Sequence, residues 1–190
     1  MPLKIVYPGH QEIIGKGLVL LVKPPTNGTD QSAGTITEET ALVSKSHAII
    51  ASEGRSLDRS KAESDKSNFI TRVHTFLDER RVKCVIELNG RKEPGIEIRT
   101  GGASGPSELL ELVSAGLAES FEITTTIEPI DVTETYSKDG KVQVIRVFLG
   151  PDERGFRRDL TIERVAYSVG LINRALGYSE TDEGAGDSLD

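Results

Sequence analysis

Asn68-Phe69-Ile70-Thr71-Arg72-Val73-His74-Thr75-Phe76-Leu77-Asp78-Glu79-Arg80-Arg81 runs directly into Val82-Lys83-Cys84-Val85-Ile86-Glu87-Leu88-Asn89-Gly90. In the first part Phe69, Ile70, Val73, Phe76 and Leu77 recur at helical spacing, while Arg72, Asp78 and Glu79 face away, which predicts an amphipathic helix over 68–81. Ser67 stands where an N-cap belongs. In the second part the apolar run Lys83 to Leu88 is the clearest strand of the chain, and it closes on Asn89 and Gly90. A helix feeding a buried strand is the building unit of α/β proteins. Polar residues and glycine at the carboxyl end of such a strand mark the place where those folds hold their ligands.

Working outward, Ile96 and Ile98 alternate with Glu97 and Arg99, the period of a half-buried strand. Upstream, Leu3 to Tyr7 is a short strand stopped by Pro8-Gly9. Gly17 to Val22 is a second strand or a short helix, which periodicity cannot separate in so short a run. Residues Lys23 to Gly34 are rich in Pro, Thr, Asn, Gly and Ser and read as a loop. Thr37, with Glu38 and Glu39 behind it, reads as the cap of a helix toward Ser46, and Ala48 to Ala51 as a strand. Downstream, Ser107 caps a helix through Leu117, and Phe121 to Ile130 is a Thr-rich strand. Asp139-Gly140 is a turn ahead of the strand Val142 to Leu149, so the late strands are expected to pair antiparallel through it. Thr161 caps a last helix with Ile162, Val165, Ala166, Val169, Ile172 and Leu176 on its apolar stripe. Strands alternate with helices and no internal repeat is present. The expectation is an α/β three-layer sandwich, with a mixed central sheet flanked by helices. Residues 1–178 would form one domain and 179–190 an acidic disordered tail.

A chain of 190 residues buries one substantial core. With 36% hydrophobic and 28% charged residues the composition is that of a soluble globular protein. No apolar run approaches the roughly 20 residues a membrane helix needs, and no signal-peptide pattern opens the chain, so the cytoplasm is the expected compartment and a membrane is not an expected partner. The single cysteine, Cys84, excludes an internal disulfide and a cysteine-rich zinc site, and reads as a core residue. A net charge of −7 argues against nucleic acid as a partner. The one basic cluster, Arg154 to Arg158, is hemmed in by Asp152, Glu153 and Asp159 and reads as a solvated surface or an interface. Without tryptophan and with few other aromatics, the core is expected from Ile, Leu, Val and Ala, as in a sheet covered on both faces.

Gly54-Arg55-Ser56-Leu57-Asp58-Arg59, a serine-rich approach to the helix, the strand ending Glu87-Leu88-Asn89-Gly90, and Gly95-Ile96-Glu97-Ile98-Arg99-Thr100 follow one another in meaningful order. This succession resembles the N-formylglutamate amidohydrolase family over roughly half the chain. Members carry an Asp-Leu-Asn-Arg type motif, a helix, a strand ending in His-Gly, and a Gly-Ile-Glu-Ile segment. The resemblance implies a zinc-exopeptidase-like fold and hydrolysis of an amide beside a carboxylate, with zinc as cofactor and a small acidic molecule as substrate. It implies His10 and Glu12, in Tyr7-Pro8-Gly9-His10-Gln11-Glu12, as metal ligands, and Glu87 or Glu93 as the base. Arg59 or Arg99 would bind the substrate carboxylate, in a pocket shared with Arg55 and Asn89. Pro8-Gly9-His10 is also similar to the Pro-Gly-His opening of zinc N-acetylmuramoyl amidases, a tripeptide of little specificity.

The chain departs from the first family at three places. The histidine after the first strand is displaced by one residue, Asn89 stands for a histidine, and Ile145 stands where a glutamate sits in a Gln-x-Glu setting. An amide oxygen is a weak zinc ligand, and an isoleucine moves no proton. A catalytically silent ligand-binding or oligomeric protein on the same scaffold is therefore the alternative expectation. Read from the residues alone, His10 is a loop histidine, and His47 and His74 are structural. Arg55 and Arg59 around Asp58, and Arg99 beside Glu97, either clamp a carboxylate or form local ion pairs. Gly101 to Gly105 is a connector or an anion cradle, and it lacks the Gly-Lys-Ser/Thr end of a P-loop.

Overall fold

A computed structural model describes residues 1–25, 31–52, 59–101, 108–128, 136 and 142–179. Eight strands form one sheet in the order β1-β2-β4-β3-β5-β8-β6-β7. They are β1 (Leu3–Tyr7), β2 (His10–Ile14), β3 (Val19–Lys23), β4 (His47–Ala51), β5 (Cys84–Gly90), β6 (Ile96–Gly101), β7 (Ile123–Glu128) and β8 (Gln143–Leu149). The four central strands β4, β3, β5 and β8 run parallel. β1 and β2 form an antiparallel hairpin on one side, and on the other β6 runs antiparallel to β8 and parallel to β7. The helices are α1 (Gln31–Ser44), α2 (Arg59–Glu79), α3 (Glu108–Ala118), the single turn α4 (Pro151–Arg154) and α5 (Arg158–Ala175).

Because successive strand residues point to opposite faces, the sheet sorts its side chains into two layers. One face carries Val19, Leu21, Ile86, Leu88, Ile145 and Val147 against α1, α3 and α5 in the larger core. The other carries Leu20, Val22, Ile49, Ala51, Val85 and Val144, with Phe69, Val73 and Phe76 of α2 packed over them. This is a three-layer α/β sandwich, and its core is built mainly from Ile, Leu, Val and Ala. Cys84 is fully buried, and burial pushes its thiol up to about 12.

Several local expectations shift. α2 starts at Arg59, nine residues ahead of the expected start at Asn68, so Ser67 lies inside it. α1 starts at Gln31, which puts Thr37 in the helix interior, where its hydroxyl donates to the Ala33 carbonyl. Part of the stretch expected as a loop is therefore helix. Thr161 likewise lies inside α5, donating to the carbonyls of Glu153 and Arg157. In Thr37 and Thr161 a hydroxyl that suits a cap bonds back to the preceding turn instead. β2 was not foreseen, since His10–Ile14 is short and mixes polar with apolar residues. β7 and β8 are not neighbours, because β6 lies between them. Asp139-Gly140, Ser107, Gly102–Gly105 and the acidic residues from 180 onward lie outside the described residues.

Candidate functional site

The register lines up two rows of side chains across the α2 face of the sheet. Glu12, Ile49, Val22, Glu87, Arg146, Arg99 and Thr126 are successive partners from β2 to β7. In the next row Asn89 faces Phe148, Phe148 faces Glu97, and Glu97 faces Thr124. At the far side of the sheet His10 pairs with Ala51. α2 covers the middle of these rows, and the polar residues stand on either side of that cover.

On the β2 side, Glu12 is almost fully buried and Arg72 of α2 forks onto both its carboxylate oxygens, with Nη2 2.9 Å from Oε2. His10 Nε2 lies 2.9 Å from Glu12 Oε1, and its ring stacks on Tyr7 at 4.8 Å. Burial raises the affinity of Glu12 for a proton. The hydrogen bonds from Arg72 and His10 and the Arg72 charge outweigh that and hold the carboxyl below its ordinary range.

On the β5 side, Glu87 and Asn89 are both buried, and Asn89 Nδ2 donates to Glu87 Oε1 at 2.7 Å. Arg146 Nε lies 3.5 Å from the same oxygen. The buried Tyr136 hydroxyl also hydrogen-bonds Glu87, and burial first, then the Glu87 charge, pushes its ionisation well above the ordinary range. Next to them Arg99 forks onto Glu97, with Nε to Oε1 at 2.8 Å and Nη2 to Oε2 at 2.9 Å, and lies 4.3 Å over the Phe148 ring. Arg91 Nη1 approaches Glu97 at 3.4 Å, and Thr126 donates to Glu97 at 3.2 Å. The hydrogen bond from Arg99, against a smaller effect of burial, keeps the Glu97 carboxyl below its ordinary range. Arg99 retains about a third of its exposure, and Thr124 and Thr126 are exposed.

The expected site residues thus separate into groups. His10 and Glu12 stand together, and so do Glu87, Asn89 and Arg99. Three strand spacings lie between Glu12 and Glu87, about 14 Å at the usual separation of neighbouring strands, and they are filled by Ile49, Val22 and the aromatic side chains of α2. Among the described residues, Gly9–Glu12 therefore stands apart from Asn89 and Arg99 instead of beside them. Glu93 is exposed beside Arg91, and a hydrogen bond from its own backbone N–H lowers its proton affinity. Arg59 is placed as the first residue of α2, and Arg55 lies outside the described residues. The Glu97–Arg99 pair takes the local ion-pair form that the sequence left open.

Arg146 and Tyr136 were missed. The available signal was strand parity: with Glu87 and Asn89 facing the site, it is Arg146 and Phe148 of β8 that share their face. Ile145, set by resemblance at the glutamate position, points into the opposite core and is fully buried. The basic segment Arg154–Arg158 is largely structural. Arg154 donates to the carbonyls of Leu149 and Arg91, and Arg157 stacks over Phe121 at 4.5 Å.

A zinc site needs several His or carboxylate donors converging on one point. The chain has three histidines. His47 opens β4, four residues and about 13 Å of strand from the Ala51 that pairs with His10. Its Nδ1 accepts the Gly15 N–H at 3.2 Å, an approach that requires glycine, since a Cβ there would sit 2.3 Å from the Lys45 and Ser46 carbonyl oxygens. His74 follows Arg72 by two residues, about 200° round α2, on the side away from Glu12. Among the described residues no three His, Cys, Asp or Glu side chains gather into a metal-binding group, and Glu12 is already committed to Arg72. Among the described residues the donor set does not assemble a histidine-held zinc site.

No family model matches this chain, and no curated protein matches it. Solved structures do. A bacteriophage poly-gamma-glutamate hydrolase superposes with a TM-score of 0.57 at 9% identity, covering 88% of this chain and 89% of that one. The catalytic domain of the CD27L endolysin targeting Clostridia difficile gives 0.56 at 15%, covering 86% and 99%. The N-acetylmuramoyl-L-alanine amidase AmiC2 of Nostoc punctiforme gives 0.54 at 9%, covering 84% and 99%. The fold is the one these amidases and hydrolases share. At such identities the likeness concerns architecture alone.

Proposed function

We propose that this chain uses an amidase-type α/β scaffold to bind a small acidic molecule, a carboxylate or an amide beside one, at the Glu87–Asn89 end of β5. Hydrolysis through a histidine-held zinc is not part of this reading. The observation that carries it is the separation of His10–Glu12 from Glu87–Asn89–Arg99 across the sheet, with Glu12 neutralised by Arg72. A general base needs an accessible, uncommitted acceptor. Glu87 instead shares its carboxylate with Asn89, Arg146 and Tyr136. Such a cluster fixes polar groups for recognition better than it moves protons.

A second reading is favoured by the fold itself, which follows hydrolases over more than four-fifths of the chain. It is an N-formylglutamate amidohydrolase-like enzyme that cleaves a small acidic amide, with a metal held through His10 and Glu12. Elemental mass spectrometry of untagged protein, paired with turnover of N-acyl amino acids, separates the two. The binding reading expects substoichiometric zinc and no zinc-dependent turnover. About one zinc per chain, with turnover abolished in His10→Ala, would establish the enzyme and discard the binding reading.

A further inference from the structure

β1 ends the sheet, with β2 as its one strand partner among the described residues. Pro8 and Gly9, the latter at φ +91°, make the turn that Tyr7 and His10 close. Hydrogen-bonded partners alternate along an antiparallel pair, so Leu3, Ile5 and Tyr7 direct their backbone groups to β2, and Lys4 and Val6 direct theirs outward. The Ser52 N–H, donating to the Gly9 carbonyl at 2.8 Å, sets the same alternation on the other side of β2. Sheet edges are ordinarily guarded by exposed charge. Here the one charged side chain of β1, Lys4, turns back to Glu38 of α1. Leu3 and Val6 remain 60% and 71% exposed, and Tyr7 is exposed as well. Leu42, one turn of α1 beyond Glu38, is exposed on the same side. The opposite edge differs, since β7 presents Thr124, Thr125 and Thr126. Apolar side chains gathered on an edge strand mark an interaction surface.

We propose that β1 is the contact between two copies of this chain, paired antiparallel about a two-fold axis at Ile5 into one continuous sheet. The strand's own sequence selects a second copy and that register. With Ile5 opposite the second copy's Ile5, Lys4 stands opposite Val6, and these outward-facing residues exchange N–H and C=O groups in both directions. On the α2 face Leu3 then meets Tyr7 and Ile5 meets Ile5, pairings that stabilise a sheet. On the α1 face Val6 packs on the aliphatic stem of Lys4. Moving the axis to Lys4 would set like charges face to face and bring Pro2 opposite Val6. Moving it to Val6 would bring Pro8 opposite Lys4, and neither proline has an N–H to give. Charge agrees with this placement. A net charge of −7 makes two copies repel in general, but this edge is neutral, because Lys4 is paired with Glu38 and Glu12 with Arg72. A five-residue strand and its flanking side chains fall at the small end of protein interfaces, so the dimer forms with rising concentration. β5 lies four strand spacings from β1, about 19 Å, so the Glu87–Asn89 end stays outside the contact in both copies.

The test is sedimentation velocity of the full chain over a wide range of concentration, joined to disulfide trapping. Wild-type protein should pass from monomer to dimer and stop there, because pairing uses up the β1 edge of both copies. Val6→Pro removes an outward N–H at a place where an edge strand tolerates proline. It should stay folded by circular dichroism and raise the dimer dissociation constant at least about tenfold. Ile5→Cys, folded by the same criterion, should form an intermolecular disulfide on mild oxidation. Opposed residues of a non-hydrogen-bonded pair lie about 4.5 Å apart between Cα atoms, within disulfide reach. Val6→Cys faces Lys4 and not its own counterpart, which lies two residues further along and beyond that reach. Cys84 is fully buried and takes no part. A monomer at every concentration overturns the proposal and leaves the edge to a strand from a different protein. A dimer that folded Val6→Pro leaves intact overturns it too, since the contact then lies elsewhere. So does trapping through Val6→Cys in preference to folded Ile5→Cys.

Discussion

Two arginine–carboxylate forks stand on the same face of the sheet, Arg72 on Glu12 and Arg99 on Glu97. The first joins a helix to a strand, with its carboxylate almost fully buried and its guanidinium partly exposed. The second joins two residues of one strand, and its guanidinium is about a third exposed. The same chemistry therefore does different work. Where α2 shuts out water, an ion pair becomes an obligatory part of the packing, because either charge alone would be stranded. Where the guanidinium keeps contact with water, the pair is closer to a solvated ion pair, and losing one partner strands less charge.

The comparison is sharpened most by His47, which lies on the covered side, buried against Phe76 with ring centroids 5.4 Å apart. Burial first, then the charge of Arg80, pushes its pKa down to about 4. In the unfolded chain the imidazole titrates near 6.5. The stability it contributes is present above pH 6.5 and falls as the pH drops, because the unfolded state takes the proton first. The loss levels off below pH 4, at about 3 kcal/mol. Urea denaturation at pH 7 and pH 4 should show that fall, and His47→Asn, which keeps an acceptor for the Gly15 N–H, should remove most of it. An equal pH dependence in the variant would mean that the covered half is not as dry as its packing indicates.

Arg72→Met comes next in size. It leaves the buried Glu12 with His10 as its remaining named partner. Breaking a buried pair from one side costs roughly 3–5 kcal/mol, and partial exposure of Arg72 lowers the expectation here to about 2 kcal/mol. The check is the urea midpoint at pH 7. A change below about 0.5 kcal/mol, the range of an ordinary surface substitution, would place Glu12–Arg72 among surface pairs and break the contrast.

How far the sequence reached follows from the same physics. The strand Cys84–Gly90 and the stripe of α2 were legible because burial on one face writes a period into the residues. Helix starts were not. Thr37, Ser67 and Thr161 have the chemistry of caps, and nothing local says that the helix has already begun. β2 was hidden because His10, Gln11 and Glu12 look like a polar turn until Arg72, sixty residues away, supplies the charge that lets Glu12 be buried. The site was half legible. Glu87, Asn89 and Arg99 were found from the polar end of a strand, whereas Arg146 and Tyr136 required knowing which strands are neighbours and in what register. Ile145 points into the opposite core, since neighbouring strand positions face opposite sides of the sheet.

The smallest effect is the most direct test of the open half. Arg99→Met removes a fork that looks, bond for bond, as good as that of Arg72. Its partner Glu97 would still receive Thr126 and the approach of Arg91, and the exposed edge admits water to the carboxylate. The methionine side chain would also keep most of the apolar cover over Phe148. The change in unfolding free energy should therefore stay below about 1 kcal/mol, the usual worth of a solvated ion pair, and should shrink further in salt. A loss as large as that of Arg72→Met would mean that Glu97–Arg99 is part of the sheet's packing.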